Sequence, residues 1–159
     1  MPGSHVRIGA AYMQNERWIQ KEVSLQSHPR GIHLVTADIV AQLPELGSIA
    51  VGVAHLSLLH TSAGLTLNEN FEPEVRRDKN RFLDKVAPEG PGLYEHAYEG
   101  SDDMPAHIKS ILVGTSVTIP IRKGAFRLGP WQGVYLCEFR NRGGTRRIVA
   151  TLHGADSLE

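Results

Sequence analysis

The stretch Thr115–His153, TSVTIPIRKGAFRLGPWQGVYLCEFRNRGGTRRIVATLH, decides the fold class. It holds three strand-like runs, Thr115–Ile121, Trp131–Phe139 and Arg146–His153, with no helical period between them. Asn141-Arg142-Gly143-Gly144 separates the second run from the third and is a hairpin signal. Working back along the chain, Asp102 or Asp103 offers a cap for a short helix through Pro105, His107 and Ile111. Pro73 opens a longer helix to about Val86, with Val75, Phe82, Leu83 and Val86 as its buried stripe. Leu65–Asn68 and Ile49–Leu59 read as strands. Along the latter, Val51, Val53, His55 and Ser57 take one face and Ala54, Leu56, Leu58 and His60 the other. Thr36 caps a helix from Ala37 to about Leu46, with Ile39, Val40 and Leu43 on one face. Gly31–Thr36 and Trp18–Leu25 are the first two strands. The order is β-β-α-β-β-α-α-β-β-β. Strands grouped in this way predict an α+β domain and not a doubly wound parallel sheet.

Composition narrows the class. A chain of 159 residues fits one domain and is long enough to bury a real core. Lys plus Arg equals Asp plus Glu, at 17 each, which argues against nucleic acid as a partner, because binding its backbone needs excess positive charge. A single cysteine, Cys137, excludes an intrachain disulfide and suits a reducing compartment. No apolar run approaches the ~18 residues of a membrane span, and no secretory signal pattern opens the chain, so a cytoplasmic address is expected. Gly3-Ser4-His5 resembles a tag scar and Leu158-Glu159 a vector tail. The expected organisation is therefore a leader over 1–12, one domain over 13–156 and a tail over 157–159.

Three segments concentrate polar side chains. The first is His60-Thr61-Ser62-Ala63-Gly64 followed by Asn68-Glu69-Asn70, set in apolar β structure. Buried polar groups left unpaired cost ~1–3 kcal/mol each, so this cluster needs mutual partners or a ligand. The competing reading is a hydrogen-bonded turn, with Asn68 or Asn70 capping the helix at Pro73. The second segment runs from Tyr94 through His96 and Asp102-Asp103 to His107. Imidazoles with a carboxylate are common ligands for zinc and similar ions, although this spacing matches no standard zinc signature. Its bland alternative is a helix cap with His96 on the surface. The third is Gly129-Pro130-Trp131-Gln132 leading to Glu138, with Arg140, Arg142, Arg146 and Arg147 around the supposed hairpin. Gln132 and Glu138 share strand parity and suggest an inward-facing polar pair. The arginines are suited to phosphate, but Arg140 and Arg142 read more simply as a solvated tip. GxGxxG, Walker and CxxC motifs are absent.

In His55–Asn70 (HLSLLHTSAGLTLNEN), Tyr94–Gly114 (YEHAYEGSDDMPAHIKSILVG), Gly129–Gln132 (GPWQ) and Arg146–Ala150 (RRIVA), the chain resembles the YjbQ family, described as secondary thiamine-phosphate synthases. The likeness spans essentially Trp18 to Gly154. Pro130 departs from the family's usual Thr, and Gly64 from its usual Ala or Ser. The resemblance implies a sandwich-like α+β fold of about seven mostly antiparallel strands in two sheets, with two or three helices. It also implies a homotrimer, and weak formation of thiamine phosphate from a pyrimidine diphosphate and a thiazole phosphate.

Such a condensation asks the protein to hold two phosphate-bearing molecules and to neutralise a departing pyrophosphate. The expected metal ligands are His60, His96, Asp102 and His107, holding a divalent ion, Zn or Mg. Ser62, Arg146 and Arg147 are expected on phosphate oxygens. Asn68, Glu69 and Gln132 are expected against the pyrimidine, and His60, Glu69 and His107 are the candidate catalytic groups. A metal-dependent hydrolase of a small phosphorylated or carbonyl metabolite would use the same histidines without a second substrate site. A non-catalytic small-molecule sensor would bind without bond change.

Overall fold

The computed structural model describes residues 16–156; the expected leader and tail lie outside the described residues. The elements are β1 (Glu16–Leu25), β2 (Gly31–Leu34), α1 (Thr36–Ala41), a 3₁₀ turn (Pro44–Ser48), β3 (Ile49–Leu58), β4 (Ala63–Glu69), α2 (Pro73–Val86), α3 (Asp103–Val113), β5 (Ser116–Arg122), β6 (Ala125–Phe126), β7 (Gln132–Glu138) and β8 (Arg146–Asp156). They form a five-stranded sheet, β1-β8-β3-β5-β6, and a three-stranded sheet, β2-β7-β4. Every pairing is antiparallel. The fold is α+β, with α2 and α3 covering the small sheet and α1 placing Ile39 in the core between the sheets.

Period-two alternation builds the core. Val23 and Leu25, then Ala54, Leu56 and Leu58, then Ile119 and Ile121, then Ile148, Ala150 and Leu152 turn inward from the large sheet. Ala63, Leu65, Val134 and Leu136 meet them from the small one. The small sheet's other face is covered by helices, where Ala106 of α3 packs on Cys137 and Phe139 with Leu83 of α2 beside them. Strand β7 is thus covered on both faces, so alternation fails there as a guide. Gln132 is exposed at its start, whereas Glu138 at its end is fully buried, so the expected polar pair does not exist.

The segment Asn141–Gly144 is not a hairpin. Strand β7 is the centre of the small sheet and β8 pairs with β1 and β3 in the large one. The chain crosses between sheets here, and a buried ion pair fixes the crossing. Glu138 ends β7 at 0% exposure and Arg146 opens β8 at 4%. Arg146 donates from Nη2 to Glu138 Oε1 at 2.6 Å and from Nε to Oε2 at 2.7 Å. Its Nη2 also donates to Ser62 Oγ at 3.0 Å. Gly143 serves close passage, since a Cβ there would stand 2.4 Å from the Glu138 carboxylate oxygens, and Gly144 takes a left-handed φ of 72°.

Three further expectations change in the structure. Helix α1 stops at Ala41, because Pro44 disfavours the helical conformation at Leu43, which sits at φ −121° and ψ 61°. The Thr36 hydroxyl does not cap α1; it accepts from the Val134 N–H at 2.9 Å and ties the helix start to β7. Helix α2 has no fully buried residue, and Phe82 is 65% exposed. That helix lies over only three strands, so one turn-face packs and the rest of its apolar stripe stays open. Gly64 has a packing reason, since a Cβ there would lie 2.7 Å from Val113 Cγ1, where α3 ends against β4.

Breaking the pair by Glu138→Leu leaves a buried guanidinium unpaired and is expected to cost about 3–5 kcal/mol. Adding Arg146→Met should recover most of that loss; urea denaturation of the single and double variants checks both statements. Gly64→Ala should cost about 1–3 kcal/mol by overpacking against Val113, read in the same assay.

Candidate functional site

Asp103 and His107 are one turn apart on α3 and share a helix face. The loop before α3 returns His96 to the same point. Asp103 Oδ2 lies 2.6 Å from His96 Nε2 and 3.1 Å from His107 Nε2. Glu99 Oε2 reaches His96 Nε2 at 3.1 Å. One ligating atom from each of His96, Glu99, Asp103 and His107 lies within 4.8 Å of the others. The Asp103 side chain is only 3% exposed.

A guanidinium fixes this carboxylate from behind. Arg140 Nη1 pairs with Asp103 Oδ1, its Nε donates to Asp102 Oδ2 at 3.0 Å, and its Nη2 donates to the Glu99 carbonyl at 2.8 Å. The Asn141 N–H also donates to Asp102 Oδ2, at 2.8 Å. Neither aspartate caps α3 through its side chain, because Arg140, Asn141 and the imidazoles hold both carboxylates. Arg140 is accordingly an anchor of the site and not a solvated tip. Burial works against the Asp103 charge, but the hydrogen bond from His96 and the nearby Arg140 outweigh it and hold its carboxyl below the ordinary range. The Asp103 hydrogen bond in turn raises the His96 imidazole above its ordinary value.

The other ring nitrogen of His107 settles its orientation. Nδ1 lies 2.8 Å from the Thr61 carbonyl, which only accepts, so Nδ1 carries the proton. A neutral His107 therefore turns the Nε2 lone pair toward an anionic oxygen. Two electron-rich atoms at 3.1 Å repel unless a proton or a metal cation lies between them. An imidazole held by a backbone carbonyl on one nitrogen, with the other facing a carboxylate, is the usual setting of a metal-bound histidine.

His60 stands apart from that cluster. Its Nε2 accepts from the Arg147 backbone N–H at 2.8 Å, which leaves the ring proton on Nδ1. Burial, helped by the charges of Arg146 and Arg147, lowers its pKa and keeps it neutral. It nevertheless shares a cavity of about 610 Å³ with His107, Thr61, Ser110 and Thr115. His96 lines a separate cavity of about 430 Å³ with Tyr94 and Ser101. The histidine–carboxylate cluster thus has open space on two sides.

The remaining candidates have other partners. Arg146 is turned inward to Glu138 and Ser62 and is not free for phosphate. Arg147 is exposed, 3.5 Å from Glu22. Glu69 Oε1 accepts from the N–H groups of Phe71 and Glu72 at 2.6 and 2.9 Å and so shapes the turn into α2, a task the sequence reading gave to an asparagine. Asn68 Oδ1 accepts from Lys79 Nζ at 2.8 Å. Gln132 Oε1 accepts from the Gly129 N–H at 2.9 Å. Burial pushes the Cys137 thiol up to about 12, which removes it as a nucleophile. The structure joins His96 and His107, puts Asp103 where Asp102 was expected, and adds Glu99. The i,i+4 spacing of Asp103 and His107 is the sequence signal for that choice.

Among the described residues no helix is long and apolar enough to cross a membrane. The family model described as UPF0047 protein YjbQ-like matches residues 21–155. UPF0047 protein YjbQ of Escherichia coli O157:H7 is 52% identical over 137 residues, covering 86% of this chain and 99% of that protein. UPF0047 protein YugU of Bacillus subtilis is 42% identical over 105 residues, 66% of this chain and 76% of that one. A crystal structure of a yjbq/upf0047 family protein from Clostridium acetobutylicum superposes with TM-score 0.69 at 39% identity, over 82% of this chain and 97% of that chain. A YbjQ-like protein from Sulfolobus solfataricus shares the fold at TM-score 0.73 and 18% identity, over 88% and 99% of the two chains. With its matched span, its relatives and its two-sheet fold in agreement, the chain belongs to the YjbQ (UPF0047) family.

Proposed function

We propose that this protein is a divalent-metal-dependent enzyme acting on a small phosphorylated metabolite, with the ion held by His96, Asp103 and His107 and with Glu99 at its rim. The observation that carries the reading is the pair of imidazole Nε2 atoms facing one buried Asp103 oxygen. The donor set of two imidazoles and one or two carboxylates suits zinc, and it leaves room for substrate. A divalent ion at this point would supply charge neutralisation for a phosphorylated group in the transition state.

The protein's own groups would do the rest. Arg140 keeps Asp103 ionised and in place. The Thr61 carbonyl fixes the His107 ring. Neutral His60, with Nδ1–H as its unused ring donor, would give a hydrogen bond to a departing oxygen in the cavity it shares with His107. The reaction we propose is of thiamine-phosphate synthase type, in which pyrophosphate leaves a pyrimidine methylene as a thiazole nitrogen attacks. Hydrolysis of one phosphorylated substrate at the same groups is the second reading, favoured by the absence of an unpaired arginine among the residues first expected to bind phosphate. A cytoplasmic, homotrimeric protein is proposed alongside. Support for assembly comes from the exposed Phe71–Trp131 edge pair, with rings 5.0 Å apart, and from the open outer face of the large sheet at Trp18, Val51 and Val53.

Titration calorimetry of chelator-treated protein with Zn²⁺ should show one site per chain. His107→Ala and His96→Ala should weaken it by about 10–100-fold or more, while Asp102→Asn changes it far less. His107→Ala should cost about 1 kcal/mol of stability or less, so loss of metal and turnover without a collapse of the thermal midpoint is expected. Pyrophosphate release that requires both substrates indicates the synthase; release from one substrate in water indicates the hydrolase; tight ligand binding with no turnover would sink both. Light scattering should give three times the chain mass at micromolar concentration.

A further inference from the structure

The candidate metal site is built in two halves. Asp103 and His107 sit on α3, whereas His96 and Glu99 come from the loop between α2 and α3. His96 is bonded to Asp103, and the Glu99 carbonyl to Arg140. Both ties lie in the second half of that loop. The first half is fastened at Glu89, a residue that is not one of the clustered ligands. Its Oε2 accepts from Ser101 Oγ at 2.8 Å, twelve residues further on. Its Oε1 accepts from Arg30 Nη1, just ahead of β2. The first bond closes the neck of the loop, and the second ties that neck to the fold. A surface loop of this length with its ends joined is an Ω-type loop, a form that is frequently functional. It encloses the cavity of about 430 Å³ into which His96 faces, and every residue lining that cavity lies between Glu89 and Ser101.

The chain of charges continues past Arg30. Arg30 Nη2 donates to Asp84 Oδ1 at 2.7 Å, and the same oxygen accepts from Lys109 Nζ at 2.6 Å. Lys109 is buried and lies on α3, two residues after His107. The series Lys109–Asp84–Arg30–Glu89–Ser101 therefore runs from the helix that bears Asp103 and His107 to the neck of the loop that bears His96 and Glu99. It is a second route between the two halves, and it uses no metal ligand. The Arg30 and Glu89 side chains are 22% and 29% exposed, against 62% and 65% for Arg77 and Glu74, the exposed pair on α2. Shielding of that degree makes the Arg30–Glu89 pair a stronger tie than an ordinary surface pair. Hydrogen bonds from Ser101 and Arg30 hold the Glu89 carboxyl below the ordinary range. Burial works against the Asp84 charge, but hydrogen bonds from Lys109 and Arg30 outweigh it.

We propose that Glu89 is a positioning residue of the candidate metal site: clamped by Arg30, it holds the loop closed at Ser101 and so sets where His96 and Glu99 stand relative to Asp103 and His107. The assignment rests on the metal reading above and adds to it a residue that acts through the loop. Partners of this kind, outside the ligand set, commonly decide metal affinity by orienting the ligands.

The test uses the full chain, treated with chelator and titrated with Zn²⁺, then with Co²⁺, whose visible spectrum reports the geometry of its ligands. Glu89→Ala and Ser101→Ala should each weaken Zn²⁺ binding about tenfold or more and shift the Co²⁺ spectrum. Both remove the Glu89–Ser101 bond, so the double variant should lose less than the sum of the two. Glu89→Gln keeps an acceptor for Ser101 and should recover part of the loss, and it carries the test if Glu89→Ala does not fold. Glu74→Gln, which breaks the exposed pair with Arg77, should leave affinity and spectrum unchanged. Unchanged Zn²⁺ affinity in the Glu89 and Ser101 variants, whatever their thermal midpoints, would overturn the proposal and leave the metal site standing. So would losses that add in full, or an equal loss in Glu74→Gln. Wild-type protein that takes up no Zn²⁺ would overturn the metal reading and this assignment together.

Discussion

The Glu138–Arg146 pair is the constraint on which the rest of the molecule depends. It closes the last of the three places, among the described residues, where the chain leaves the small sheet and enters the large one, between β7 and β8. Both groups are buried, so each is tolerable only in the presence of the other. The pair is saturated: the guanidinium also serves Ser62, and Glu138 Oε1 accepts from the Arg140 N–H at 3.0 Å. Through these bonds the end of β7, the start of β8 and the turn before β4 are held together. The consequence for the surface is direct, because Arg140 and Asn141 follow Glu138 immediately and grip Asp102 and Asp103.

The site inherits its precision from that chain of contacts. Asp103 is almost entirely buried, one oxygen on Arg140 and the other on two imidazoles. Thr61, next to the Ser62 that Arg146 holds, orients His107 from the opposite side. Asp103 and His107 of the candidate metal cluster are thus held by the two segments that the buried pair positions, while His96 and Glu99 come from the loop before α3. The cluster's geometry is unfavourable as a neutral arrangement, since the His107 lone pair faces a carboxylate, and a cation between them would relieve that conflict.

The two helices play unequal parts. Helix α3 is packed through Ala106 and carries the buried ends of Asp103, Lys109 and Ser110, so it is a rigid support. Lys109 Nζ donates to Asp84 at 2.6 Å, which ties α3 to α2. Helix α2 otherwise rests on the small sheet through Leu83 and long cationic side chains. Arg76 and Lys79 of that helix lie over the Tyr135 ring, whose buried hydroxyl has no hydrogen-bond partner among the described residues.

The sequence determined the order of elements apart from the 3₁₀ turn and the two-residue β6, the two faces of β3 and the polar segments around His60, His96 and His107, because periodicity and turn chemistry are local. It did not determine which strands pair. A glycine-containing loop looks the same whether it reverses within one sheet or crosses between two, and the difference lay in where Glu138 and Arg146 find each other. The sequence left the carboxylate only partly legible: Asp102 and Asp103 are adjacent, the i,i+4 spacing to His107 points to Asp103, and Arg140, nearly forty residues on, holds both in place. Nor did it reveal that Arg146 is turned inward, that His60 gives its Nε2 to a backbone N–H, or that Tyr135 is left unpaired. Side-chain chemistry is written in the sequence; the partner each side chain meets depends on burial and distance, and those exist only once the two sheets have closed on each other.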